Sequence, residues 1–170
     1  MNPEEDFFIV LTSNSSKKAY NKNKPCSFTC HIPAAYNLEG RWDVCVWSLS
    51  ATSKVVQDNL LVDPPGSMLV YTDIVTDTVM GDVTSSLLAV FPLPKANTAT
   101  RFSPTHLAYH HVKVKQLTDI SIKLADMNGK DIEFSGDDST LLIELHFRRT
   151  PCLSINYLHN RLHSLFKLPD

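Results

Sequence analysis

Carboxylates and histidines are the residues here best suited to chemistry. The stretch VYTDIVTDTVMGDVTSSLLAVFPL, residues 70–93, carries Asp73 and Asp77 four apart, with Gly81 and Asp82 just beyond. Together with Asp119 and Glu144 they could supply the carboxylate pair of a glycosidase, provided that neighbouring strands turned two of them into one cleft. Nothing in their spacing requires it. Metal-dependent jelly-roll enzymes hold iron or manganese with His-x-His or His-x-Asp/Glu on one strand plus a distant His. No histidine of this chain is followed two residues later by His, Asp or Glu. His106 and His110 share a strand face, His111 points away, and Glu144-Leu145-His146 is the reversed order. The nucleophile-elbow, HExxH, P-loop and GxGxxG patterns are missing too, and five glycines leave little material for phosphate-cradling loops. The residues therefore assign no catalytic, metal or cofactor-binding role, and the chain reads as a non-enzyme.

The elements that must position these side chains follow from composition and period. With 170 residues the chain is expected to form one domain, with 43% hydrophobic and 20% charged residues as in ordinary globular proteins. A formal net charge of −2 supplies no general attraction to nucleic acid or anionic membrane. No apolar run approaches the ~18–20 residues of a membrane-spanning helix. The acidic start MNPEED is the reverse of a secretory leader, so a reducing compartment and free thiols are expected for Cys26, Cys30, Cys45 and Cys152.

Alternating patterns predict eight strands: 7–13, 26–32, 41–50, 68–75, 85–93, 106–114, 117–126 and 139–149. In the third, Trp42, Val44, Val46 and Ser48 face one way and Asp43, Cys45, Trp47 and Leu49 the other. Neither side is strongly polar, which suits a strand buried on both faces or lying at a subunit contact. In the seventh, Leu117 falls on the side of Asp119, Ser121 and Lys123. In the eighth, Leu142, Glu144, His146 and Arg148 oppose Leu141, Ile143, Leu145 and Phe147. Asn128-Gly129 predicts a turn with both central residues at positive φ. With no helix between them, eight strands favour an all-β, single jelly-roll sandwich over residues 1–150. In residues 151–170 the period changes, and Ile155, Leu158, Leu162, Leu165 and Phe166 recur at helical spacing. This predicts a short amphipathic C-terminal helix, either docked on its own domain or serving as an assembly arm. Lys17, Lys18, Lys22 and Lys24 gather in a polar loop with Tyr20 as its only aromatic, a solvated loop rather than a nucleic-acid surface.

Four blocks in this order resemble the minor capsid protein, or penton, of Polinton (Maverick) elements and adintoviruses. They are FFIVLTSNSS; NLEGRWDVCVWSLS with Leu38, Gly40, Trp42 and Val44; VYTDIV…GD…LL with Tyr71, Asp73, Gly81 and Asp82; and DMNGKDIEFSGDDSTLLIELHFRR, ending in Leu145, His146, Phe147, Arg148 and Arg149. The sequence departs from the family's usual pattern at TDTVMGD and SPTHLAYHHV. The resemblance implies a structural virion protein: a homo-pentamer at icosahedral vertices, beside double jelly-roll major capsid proteins, assembled inside the host cell, in its nucleus. Trp42, Trp47, Tyr71, Asp73, Gly81, Asp82, His146 and Arg148 are the candidate subunit-contact residues, with Leu158, Leu162 and Phe166 for the tail. The competing reading is a carbohydrate- or receptor-binding β-sandwich, with a host glycan or receptor as partner.

Overall fold

The computed structural model describes residues 3, 5–56, 66–92, 99–134 and 139–150. Among these residues there is no helix, and the expected helix of residues 151–170 lies outside them. The strands are β1 (Phe7–Thr12), β2 (Ser27–Asn37), β3 (Arg41–Val56), β4 (Ser67–Thr72), β5 (Thr78–Met80), β6 (Val83–Ser85), β7 (Leu87–Pro92), β8 (Ala99–Phe102), β9 (His110–His111), β10 (Gln116–Ala125), β11 (Glu133–Phe134) and β12 (Leu141–Thr150).

Pairing is antiparallel throughout and nested. β1 pairs with β12, β2 with β10, β3 with β8 and β9, and β4 with β7. The chain is thus one long hairpin, bent over between β4 and β7 and rolled so that successive strands alternate between two sheets. One sheet runs β1-β12-β3, with β8, β9 and β11 all along the far side of β3; the other runs β2-β10-β4-β7. This is a jelly-roll-like β-sandwich. A separate two-stranded hairpin, β5–β6, is inserted where the long hairpin bends.

Inward rows from both sheets form a single apolar core, among them Leu11, Leu49, Val70, Leu88, Ile120, Leu124, Ile143 and Leu145. Period two puts them there, since every second residue of a strand faces the partner sheet. Phe7 lies between two rings, stacked 4.8 Å from Phe147 in its own sheet and 4.9 Å from Tyr36 of the other. At the opposite edge Phe91 of β7 meets Phe102 of β8 at 5.2 Å. These contacts close the sandwich at both sides.

Six expectations change. The connection PAAYN is part of β2: Pro33 is tolerated because β2 is an edge strand whose ladder to β10 skips from His31 to Tyr36. The expected strand 106–114 shrinks to β9, and Ala99–Phe102, expected as loop, is a strand. Ser103–Tyr109 leave the ladder of β3 after Phe102 and rejoin it at His110, opposite Val44. Asp73 lies one residue past β4, not within a strand. In β10 the register shifts between Leu117 and Asp119, which turns Leu117 into the core, away from the side of Asp119. At the Asn128-Gly129 turn only Gly129 has positive φ; Asp126 Oδ1 holds the turn by accepting the amides of Asn128 and Lys130, both at 2.8 Å.

Replacing the fully buried Phe147 removes one end of the Phe147–Phe7–Tyr36 stack that joins the sheets. Phe147→Ala is expected to cost about 3–5 kcal/mol, read as a lowered urea midpoint with unchanged slope.

Candidate functional site: an exposed aromatic face

On the outer side of the six-stranded sheet, β1, β12 and β3 bring their outward rows together. Phe8 lies opposite His146 across β1–β12, and Val10 opposite Glu144. In β3 the register against β12 shifts between Glu144 and Leu145, so that Ser48 pairs with Glu144 and Val46 with Leu145. Trp47 is the extra residue of this bulge. The bulge switches the parity of β3: Val44 and Val46 point inward before it and Leu49 after it, leaving Trp47 and Ser48 outside. Ser48 donates to Glu144 at 3.1 Å, which holds the bulged strand to β12.

The outward side chains form a connected row. Phe8 stacks on His146 with centroids 4.4 Å apart and meets Trp47 edge-on at 5.4 Å. Trp47 is 5.6 Å from His146. His146 Nδ1 is hydrogen-bonded to the Tyr109 hydroxyl at 2.7 Å. The Arg148 guanidinium covers the Tyr109 ring at 3.5 Å, a cation–π contact. Phe8 is 48% exposed, Val10 55%, Trp47 41% and Leu142 38%, which makes a contiguous apolar area of the kind that marks a protein contact. The row is rigid, since each ring is held by the next.

Behind this row, Asp43 is 7% exposed and gathers two guanidinium groups and an imidazole. Its carboxylate accepts from Thr150 Oγ1 at 2.6 Å and lies 3.7 Å from Arg148, 3.8 Å from Arg41 and 3.6 Å from His111 Nδ1. Asp43 thereby fixes the guanidinium that covers Tyr109. Burial pushes the Cys45 thiol up, outweighing the lowering by Tyr109 and Arg148, so Cys45 stays a neutral thiol under the row.

Three of the sequence-derived contact candidates, Trp47, His146 and Arg148, meet in this row. Trp42 does not join them: it is 1% exposed, packed against Phe7 at 5.4 Å, with its indole donating to Glu39 O at 3.1 Å. Its side chain belongs to the core because inward parity holds at position 42, before the bulge. Tyr71 and Asp73 sit at the other sheet. Gly81 and Asp82 form the tip of the β5–β6 hairpin, where Gly81 has φ of 64° and Val79 and Val83 are 77% and 52% exposed. Leu158, Leu162 and Phe166 lie outside the described residues. Phe8, Val10 and Tyr109 were missed. The alternation of FFIVL points Phe8 and Val10 to one side, but only the partner strand tells that this side is outward.

The carboxylates do not converge. Asp73 accepts the Ser121 amide at 3.0 Å, Asp77 takes the Ser86 hydroxyl at 2.5 Å, Asp119 holds Tyr20, and Glu144 holds Ser48 on the opposite sheet. Among the described residues no three His, Cys, Asp or Glu side chains gather as metal ligands would.

No family model matches the sequence, and no curated protein does. Among solved structures, the crystal structure of the SeMet-labeled mavirus penton protein is similar, with a TM-score of 0.60 at 7% identity. The match covers 86% of this chain and 100% of that one. The likeness is one of fold. It runs through the whole of the mavirus chain.

Burial holds the imidazole of His110, opposite the inward Val44, below its ordinary value of 6.5, so the fold favours the neutral ring. The stability tied to that preference is full above pH 6.5 and is lost as pH falls through the lower folded value. His110→Gln is therefore expected to flatten the decline of unfolding free energy between neutral pH and pH 5, measured by urea titration at each pH.

Proposed function

We propose that this chain is a structural virion protein of the penton type, without enzymatic activity. In this reading it assembles as a homo-pentamer at the vertices of an icosahedral capsid, beside double jelly-roll major capsid proteins. Its place is the virion, after assembly in the host nucleus. Self-association and the major capsid protein are its partners; nucleic acid and membrane are not. The observation that carries the reading is the rigid, exposed aromatic row of Phe8, Trp47, His146 and Tyr109, borne on a fold shared with a penton protein. The order of the four sequence blocks supports the finer assignment to the Polinton and adintovirus type.

A ring of five uses heterologous contacts: each subunit presents two different surfaces, one to each neighbour. The aromatic row is one such surface. The β5–β6 hairpin, with exposed Val79 and Val83 around Gly81-Asp82, has the character of the other. Residues 151–170, whose Leu158, Leu162 and Phe166 recur at helical spacing in the sequence, act in this reading as a tail apart from domain 1–150, an arm that reaches a neighbouring chain.

Light scattering on the full chain is expected to give a mass near five times 19.1 kDa. Phe8→Asp and Val83→Asp, each alone, are expected to weaken self-association roughly thirtyfold, the effect of losing about 2 kcal/mol at a contact. Mixing the two variants leaves one intact contact per pair and should restore dimers only. A monomer at every concentration, or a mixture no larger than either variant alone, would contradict the proposal.

A further inference from the structure

The loop between β1 and β2, expected as solvated, is instead pinned over the outer face of the four-stranded sheet. The Asn23 amide donates to Ser15 O at 3.2 Å and to Thr29 O at 2.8 Å, and its carbonyl accepts the Thr29 amide at 3.0 Å. Ser16 Oγ accepts the His31 amide at 2.9 Å. The Tyr20 hydroxyl donates to Asp119 Oδ1 at 2.7 Å. Ser16 itself has φ of 57°, a conformation that residues with side chains rarely adopt and that surrounding bonds must hold. So the loop is a fixed wall.

Beneath it the sheet carries small hydroxyls, Ser27, Thr29 and Ser121, where a solvent-facing strand usually carries long side chains. The result is an open groove of 420 Å³, with the loop's Tyr20 and Lys22 on one side and Tyr71 and Asp73 on the other. That volume falls within the range of small-molecule sites. Asp119 raises the Tyr20 pKa by accepting its proton in a hydrogen bond, which keeps the phenol neutral and its ring in place.

The groove retains bonding capacity. Thr29 and Ser121 share one hydrogen bond at 3.0 Å, which spends one of their two hydroxyl protons and leaves acceptor lone pairs. Asp73 Oδ1 accepts the Ser121 amide, while Oδ2 has no partner among the described residues. The chemistry of the lining narrows the ligand. An anion would meet the Asp73 carboxylate, and of the two lysines in the lining Lys123 is engaged with Asp131 at 3.3 Å, which leaves Lys22 of the loop. An extended peptide has no free edge to join, because β10 and β4 are paired on both sides and the outer edge of β2 is taken up by the loop, with Lys24 bonded to Ser27, Asn23 to Thr29 and Ser16 to His31. An apolar ligand would strip water from hydroxyls without replacing it. A neutral ring with hydroxyls on its rim and C–H groups on its face satisfies all three constraints: the rim bonds to hydroxyl and carboxylate, and the face lies on a phenol ring.

We propose that this groove binds one neutral saccharide unit, with Thr29, Ser121 and Asp73 taking its hydroxyls and Tyr71 its face. The site lies on the sheet opposite the aromatic row, so it stands or falls apart from the assembly reading. Saturation-transfer NMR of the full chain with the methyl glycosides of glucose, galactose, mannose and N-acetylglucosamine, each at millimolar concentration, tests it. At least one glycoside is expected to receive saturation. Tyr71→Ala and Asp73→Asn should each weaken its binding about tenfold, the loss of one ring contact or one charge-assisted hydrogen bond. Phe8→Asp, on the other sheet, should leave it unchanged, whatever it does to assembly. Transfer to none of the four, or equal transfer with both groove variants, would overturn the proposal.

Discussion

The β3 bulge at Trp47 is the constraint on which the outer face depends. A strand of strict period two would keep Trp47 and Leu49 on the same side, and one of them would then be misplaced. An inward Trp47 would have to share the core with Phe147 and Trp42; an outward Leu49 would leave a hole beside Ile143. One extra residue against β12 resolves the conflict by reversing parity after Val46. Leu49 is completely buried as a result, and Trp47 stands beside Phe8 and His146. The fold thus yields a close-packed interior and an exposed aromatic row from one strand whose two faces are both apolar.

The row is held from below rather than by its own stacking alone. Asp43, nearly buried, draws Arg148, Arg41 and His111 together, and Arg148 in turn lies on Tyr109. Tyr109 positions His146 through a hydrogen bond, and His146 supports Phe8. A surface organised this way loses little side-chain freedom on contact with a neighbour, which suits a subunit that must close a ring with weak, repeated contacts.

Much of the sandwich was legible because β10 and β12 alternate with period two and β12 has a largely polar outer row. Sorting the two tryptophans was not legible. Trp42 and Trp47 lie on opposite faces by parity, but nothing in RWDVCVWSLS says which face is the core, or that parity changes at position 47. The same holds for Leu117, moved inward by a register shift opposite residues 32–35. The strand at Ala99–Phe102 was hidden because TATRF is short and polar, and its apolar member, Phe102, finds its partner Phe91 only across the sandwich. The loop around Tyr20 looked solvated because its polar side chains are as common in free loops as in fixed ones. Asn23 distinguishes the two cases only through its bonds to Thr29 and Ser15, which close over a sheet that sequence alone does not place beneath it.

The central claim is that the aromatic row is covered by a second copy of this chain. A photo-crosslinking residue at position 10, in place of the exposed Val10 next to Phe8, tests it most directly. Irradiation of the purified full chain is predicted to give covalent multimers up to five chains, with the crosslink mapped from position 10 to a different chain. Monomer alone after irradiation at high concentration, or crosslinks mapped only within one chain, would contradict the account.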